Sequence, residues 1–445
     1  MKQLKHLSVL TLAVAAGISQ MAMADTISDQ STATGFLDGS SLTGLLRNYF
    51  MDRTRQHTQS NNNRDWTEGL ELNYSSGFTQ GTVGFGIDAY GYGAVKLDAT
   101  TKNAGTGNLP VDSHGHPVDD YGSIGGDVKV RISKTVLKYG EMQPTAPVFA
   151  TGGTRILPQT ATGFDLMSSE LKGLDLEAGH FTSTNSGMTS DHDHEIWALY
   201  ANVPVKSASF VGGKYTISPA WTATLYGSEF QDLWRQYYMN TNYAWVLTKD
   251  QSLTFDFNLY RTLDEGAAKA GTINNTAYSM STAYSFLEAH TLTLSYQKIH
   301  GDTPFDYVST GDNGAGEGGD SIFLANSVQW SDFNAPGEQS WGLRYDLNMA
   351  PYGVPGLSFM TRYIHGSNID GSHMPSNSIY RTAYPYGDDG SHHETDFEAK
   401  YVIQSGPVKN LSFRLRDAIH TANADQGEGD LNEFRFIVDY PFTVL

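Results

Sequence analysis

Asn410-Leu411-Ser412-Phe413-Arg414-Leu415-Arg416 alternates without a break. Leu411, Phe413 and Leu415 share one face of an extended chain. Ser412, Arg414 and Arg416 share the other, because successive side chains of a strand point to opposite sides. The same period runs outward from this stretch. Phe397, Ala399, Tyr401 and Ile403 oppose Glu398, Lys400 and Gln404. Phe434, Phe436, Val438, Tyr440, Phe442 and Val444 form one apolar face opposite Arg435 and Asp439, although the chain ends on Leu445, out of phase with that face. Towards the N-terminus, Trp341, Leu343, Tyr345 and Leu347 oppose Arg344, Asp346 and Asn348. Leu292, Leu294 and Tyr296 oppose Thr291, Thr293 and Ser295, and Leu253, Phe255, Phe257 and Leu259 oppose Thr254, Asp256, Asn258 and Tyr260. Period two in segments of this kind predicts strands with two unlike faces.

A soluble sandwich also alternates. Two features point elsewhere. The strands continue from Leu42 to the last residues, and their connections alternate in length. Met349 to Gly356 and Gln404 to Asn410 are short, whereas His365 to Thr395 and His420 to Leu431 are long. Short turns on one side and long loops on the other are the habit of outer-membrane barrels. The expected fold is therefore all-β: one transmembrane antiparallel β-barrel whose long extracellular loops fold into the lumen. No Pro-rich or Ser-rich linker interrupts residues 25–445, so one domain is expected. The chain far exceeds the needs of eight strands, and barrels of about 16–18 strands leave an aqueous lumen. A channel is the default function of such a lumen.

The N-terminus sets the compartment. Lys2 and Lys5 precede an apolar stretch from Leu7 to Ile18, and Ala22-Met23-Ala24 is a small-x-small cleavage site. Residues 1–24 are expected to be a signal peptide, with export to the bacterial outer membrane. The stretch is too short for a membrane anchor, and no later apolar run approaches the roughly 18 residues of a spanning helix. Removing the two lysines takes the net charge from −19 to −21, which argues against nucleic acid as a partner. There is no cysteine, so stability must come from elsewhere; a closed barrel supplies it by leaving no strand edge unpaired. Aromatics make up 12% of the chain, many at the ends of alternations, where interfacial girdles lie.

Parity then assigns the charges. In a membrane barrel the face opposite the apolar one is the lumen. Arg47, Arg344, Arg362, Lys400, Arg414, Arg416 and Arg435 fall on it, as do Lys129 and Arg131. The first seven come from the last strands and the first, which are neighbours once a barrel closes. One reading is a basic ladder that guides anions by successive charge-assisted hydrogen bonds, a task suited to the bidentate arginine fork. The other is a set of braces, each arginine paired with a luminal carboxylate. The stripe as a whole favours guidance. Asp302, Asp306, Asp312, Glu317 and Asp320 flank a Gly-rich segment; for most of them a solvated loop is the simpler reading, and the functional one is an electronegative patch near the entrance, facing the ladder. Ladder and entrance together would suit zwitterions, or a carboxylate with a cationic end.

No catalytic set stands out: the fourteen histidines are scattered mainly in loops, and no G-x-S-x-G nucleophile motif is found. Asp191-His192-Asp193-His194-Glu195 and His392-His393 are short clusters, and loop clusters of this kind are weak signals for a metal. No enzyme activity, cofactor or metal is expected.

Several segments together resemble the OprD-type (Occ) outer-membrane channels. They are Leu45-Leu46-Arg47-Asn48-Tyr49-Phe50, Gly301-Asp302-Thr303-Pro304-Phe305-Asp306-Tyr307, Gly319-Asp320-Ser321-Ile322-Phe323-Leu324-Ala325-Asn326 and Ser331-Asp332-Phe333-Asn334. Gly353-Val354-Pro355-Gly356-Leu357 with Arg362-Tyr363, and Asn410-Leu411-Ser412-Phe413-Arg414, belong to the same set. The resemblance implies an 18-stranded barrel with a narrow pore. It implies that Pro144 to Pro158 is the constricting loop, with Arg155 at its base and Thr151-Gly152-Gly153-Thr154 where acidic or Ser-rich residues are commoner. The family's basic ladder maps to Arg47, Arg344, Arg362, Lys400, Arg414 and Arg416, and its acidic pocket to Asp320, with Asp302 and Asp306 as further candidates. Expected partners are outer-membrane lipid and small solutes, either amino acids or aromatic and organic acids. A further relative admits chitooligosaccharides, and an oligosaccharide channel of that type or a general diffusion porin remains the rival reading. The resemblance implies a monomer or a loose homotrimer.

Overall fold

A computed structural model describes residues 27–56, 61–310 and 319–445. The signal peptide expected at 1–24 lies outside the described residues, as do Asp312 and Glu317. The alternating segments become the strands of a single 18-stranded sheet. In chain order these are β1 Ser41–Gln56, β2 Asn63–Ser75, β3 Val83–Ala99, β4 Asp120–Ile132, β5 Thr135–Met142 and β6 Thr160–Leu171. They continue as β7 Leu174–Asn185, β8 Ala208–Ser218, β9 Trp221–Phe230, β10 Trp234–Thr248, β11 Gln251–Asp264 and β12 Asn274–Phe286. The last six are β13 His290–His300, β14 Gln339–Asn348, β15 Leu357–Ile369, β16 Gly390–Val402, β17 Ser412–Ala422 and β18 Asp430–Thr443. Each pairs antiparallel with its neighbours in sequence. β1 pairs with β18 from Thr43 opposite Thr443 to Gln56 opposite Asp430. That last pairing closes the sheet, and closure is what lets a sheet lie in lipid without orphaned edge amides.

The two faces separate as parity requires. On β17, Phe413, Leu415 and Ile419 are exposed to the outside while Ser412, Ala418 and His420 are buried. Phe85, Ile124, Val128, Leu225, Leu294 and Trp341 extend the outer apolar band around the barrel. At one end the strands are joined by tight turns at 133–134, 172–173, 219–220 and 249–250; at the other by longer segments at 100–119, 143–159, 186–207, 301–338 and 370–389. One expected asymmetry fails. The connection 423–429 is shorter than the turn 403–411, because β17 runs on to Ala422 and β18 begins at Asp430.

The apolar core lies inside the barrel, not in the wall itself. Phe149 of segment 143–159 stacks on Phe181 of β7 with ring centroids 4.8 Å apart. It joins Phe210, Phe230, Trp234, Tyr260 and Phe305 in one buried cluster. A second cluster holds Ile156 and Leu157 against Tyr49, Met51 and Ile437 on the opposite side. Segment 143–159 therefore crosses the lumen, anchored apolar at both ends.

Candidate functional site in the barrel lumen

All seven ladder residues lie on strands β1 and β14–β18, and their surroundings divide them. Arg47 donates from Nε to Asp439 at 2.8 Å. Its Nη1 donates to the carbonyls of Arg155 at 2.7 Å and Gly153 at 3.3 Å. It thus holds the crossing segment from below while Arg155 donates to the Thr106 carbonyl at 3.2 Å. Arg435 donates to Glu433 at 2.6 Å, and Arg53 reaches the same carboxylate at 2.8 Å. The Arg53 guanidinium lies 4.6 Å from the centre of the Trp330 ring. Gln329 donates to the Glu433 carbonyl at 3.0 Å. This buried triad docks segment 301–338 against the wall. Arg344 is bidentate to Asp346 at 2.8 and 2.7 Å, and Arg362 pairs with Asp396.

The remaining step differs. Arg414 and Arg416 share one carboxylate, Glu398, at 3.1 and 3.3 Å. Lys400 stands directly opposite Arg414 in register and makes no ion pair or hydrogen bond among the described residues. Three cations therefore face the lumen across a single anion.

The facing wall, β3 to β9, carries the opposite sign. Asp88 bridges Lys129 at 2.5 Å and Lys138 at 2.6 Å. Asp127, Asp165, Asp175 and Glu177 line the same cavity of about 500 Å³, which runs from Pro144 and Pro147 under the crossing segment to Ser41 at the turn end of β1.

The expected entrance acids separate. Asp302 is exposed. Asp306 is only 3% exposed and accepts from the amides of Tyr200, Ala201 and Tyr307 at 2.9, 2.9 and 2.7 Å and from the Tyr380 hydroxyl at 2.9 Å. Burial pushes its carboxyl up to about 6, against those hydrogen bonds, which hold it down. It staples three loops together instead of lining an entrance. Asp320 sits at the constriction, where burial pushes its carboxyl up while the Gly153 amide and Arg155 hold it down. The constriction is thus bipolar, with Arg155 near enough to Asp320 to favour its charged form.

Two groups were missed by sequence reasoning. Arg53 shares the parity of Arg47 and lies beyond the quoted Leu45–Phe50 segment, on a strand that is 16 residues long. Asp332 accepts from the hydroxyls of Tyr200 and Tyr307 at 2.8 Å each and from Ser327 at 2.5 Å. Burial pushes its carboxyl up as well. No local pattern flags it, because its partners come from segments far apart in sequence. The 191–195 cluster disperses: His192 pairs with Glu141 at 2.7 Å, and His194 lies 3.6 Å from Asp191.

Residues 34–444 match the family described as outer membrane porin, OprD family. The chain is 61% identical to Porin D of Pseudomonas aeruginosa, over 98% of this chain and 99% of that protein. It is 33% identical to the porin-like protein GalP of Pseudomonas putida, over 90% and 91%. Among solved structures, P. aeruginosa OprD superposes with a TM-score of 0.82 at 58% identity, covering 94% of this chain and 99% of that one. P. aeruginosa OpdK solved with vanillate superposes with a TM-score of 0.82 at 32% identity, covering 92% and 100%. The chain belongs to the OprD family of outer-membrane porins. It is a passive channel of the Gram-negative outer membrane, through which small solutes cross, and not an enzyme.

Proposed function

We propose that this member of the family is selective for small carboxylate-bearing solutes, amino acids or aromatic and organic acids, which it passes along Arg47, Arg344, Arg362, Lys400, Arg414, Arg416 and Arg435. The observation that carries the reading is the shared carboxylate: among the described residues, Lys400, Arg414 and Arg416 have only Glu398 among them. A solute carboxylate can complete that group, and weak, multi-site attraction of this kind lets an ion enter and leave. The other arginines are braced and shape the path, with Arg47 and Arg155 setting its width. The acidic wall opposite would hold a cationic end, so amino acids would be oriented across the lumen. The vanillate bound in OpdK is itself an aromatic carboxylate. The 18 strands close within one chain, which supports the monomer as the transport unit, whether or not chains associate loosely as trimers.

The test is single-channel conductance in a planar bilayer, comparing the unaltered chain with Arg414→Ala/Arg416→Ala and using benzoate and arginine as probes. Saturable block or permeation by either probe, weakened in the double variant, is the expected result. Ohmic channels indifferent to both probes and to the substitutions would make the pore a general diffusion porin and the arginines braces.

A further inference from the structure

His392 and His393 are adjacent in sequence but lie on opposite faces of β16. His392 turns inward and meets His420 of β17, with Nδ1 of the first 2.8 Å from Nε2 of the second. The outer nitrogens are committed. His392 Nε2 lies 2.7 Å from Glu338 Oε1, and His420 Nδ1 lies 2.8 Å from the Gly429 carbonyl. A carboxylate and a carbonyl only accept, so both outer nitrogens carry the proton. In two neutral rings the inner nitrogens are then both lone pairs, facing each other at hydrogen-bond distance with no hydrogen to share. A third lone-pair atom converges on them. Glu428 Oε2 is 3.4 Å from His420 Nε2 and 3.7 Å from His392 Nδ1, and it is buried without a hydrogen-bond partner. The three ligand atoms lie within 4.8 Å of one another.

We propose that His392, His420 and Glu428 bind a divalent transition-metal ion of the zinc type. A shared proton would satisfy the two nitrogens but leave the Glu428 oxygen unpaired; a cation satisfies all three. Two histidines and a glutamate are an established zinc ligand set that keeps a fourth position open. Zinc–nitrogen distances of about 2.0–2.1 Å in a tetrahedron place the two nitrogens roughly 3.3 Å apart, so the rings need to part by only about half an ångström. The outer partners are what such a site requires: carboxylate and carbonyl acceptors that fix the tautomer and aim the ring. Gly366, opposite His392 in register, makes room for one of them. A Cβ there would stand 2.7 Å from His392 Nε2 and closer still to Glu338 Oε1. The ion would tie segment 423–429 to the wall. It would also offset a charge that bears on Tyr200 and Asp332 at the mouth.

The test is zinc titration of the purified chain in detergent by calorimetry at pH 7.5 and 5.5, with far-UV circular dichroism to verify the barrel in every variant. The expected result is one saturable site per chain, weaker at pH 5.5, where protons compete for the two rings. His420→Gln and Glu428→Gln should each weaken it at least tenfold, and Glu338→Gln or Gly366→Ala about 10- to 100-fold. If His420→Gln does not fold, Glu428→Gln in the exposed connection carries the test. No saturable uptake at pH 7.5 would overturn the proposal and leave a proton between the rings. Uptake unchanged in Glu428→Gln but lost in His192→Gln/His194→Gln would overturn it as well.

Discussion

Glu398→Gln separates guidance from bracing, because the two readings give it opposite signs. Glu398 is the one anion shared by Arg414 and Arg416. If the step attracts solute carboxylates, Glu398 competes with them, and neutralising it should strengthen their hold. Two unit charges about 4 Å apart interact by about 1 kcal/mol in water, which is the relevant medium since Arg414 is 37% exposed at its side chain. At 0.15 M salt the Debye length is about 8 Å, which trims this to roughly 0.6 kcal/mol, or about threefold in affinity. At 1 M, where the Debye length is about 3 Å, less than twofold should remain. The assay is benzoate block of single channels at both salt concentrations, for the unaltered chain, Glu398→Gln and Arg414→Ala/Arg416→Ala. Guidance predicts block about threefold tighter in Glu398→Gln at low salt, weaker in the arginine variant, and both differences shrinking at 1 M. Equal shifts of the same sign in both variants, or none, would refute the reasoning: a brace loses the same pair whichever partner is removed.

The other expectations address the constriction, the docking triad, the mouth and the lipid face. Arg47→Ala removes two hydrogen bonds from a cation to carbonyls of the crossing segment, each worth about 1.5–3 kcal/mol, so single-channel conductance should rise and its noise increase. Glu433→Ala leaves Arg53 and Arg435 buried without their shared anion, at a cost of about 3–5 kcal/mol; limited proteolysis should then cut within 301–338 at sites protected in the unaltered chain. Asp332→Asn removes a buried negative charge behind Tyr200 and Tyr307, and should weaken arginine block while leaving benzoate block unchanged. Leu415→Arg places a cation on the lipid face and should cost up to about 2–4 kcal/mol in urea-induced unfolding from lipid vesicles. The same substitution at the inward-facing Ser412 should cost less.

The wall of this barrel was legible because its information is local. Each strand carries its own two-residue period, and lipid on one side with water on the other makes a slipped register intolerable. Leu411 to Leu415 alone place Arg414 and Arg416 in the lumen, and the pairing of β17 with β16 and β18 agrees. Where reading failed, the physical cause was the reach of strands beyond the membrane. β1 continues past Phe50 to Gln56, and β17 past the expected end of its turn-to-loop segment to Ala422. Outside the bilayer the apolar face no longer needs to be apolar, so alternation fades while pairing continues.

The site was legible only by half, and the missing half is the one that sets function. Parity says that a side chain faces inward; it says nothing about what it meets there. Asp346, two residues on and on the same face, offered Arg344 a partner in the sequence itself, but nothing local to Arg414 shows that it divides a carboxylate with Arg416. That sharing arises from register between strands. Glu398 lies across from Arg416 and Lys400 across from Arg414, so a shift of two residues would have given each cation a different partner. The same applies to His392. Beside His393 it is an unremarkable loop dipeptide, but β17 sets His420 against it and segment 301–338 sets Glu338 behind it. In a barrel whose inner surface comes from 18 strands and inward loops, chemistry is made by residues that meet across hydrogen-bonded rows. A ladder is therefore better defined by the charge left over after pairing than by the count of arginines, and by that measure selectivity should reside at Lys400, Arg414 and Arg416.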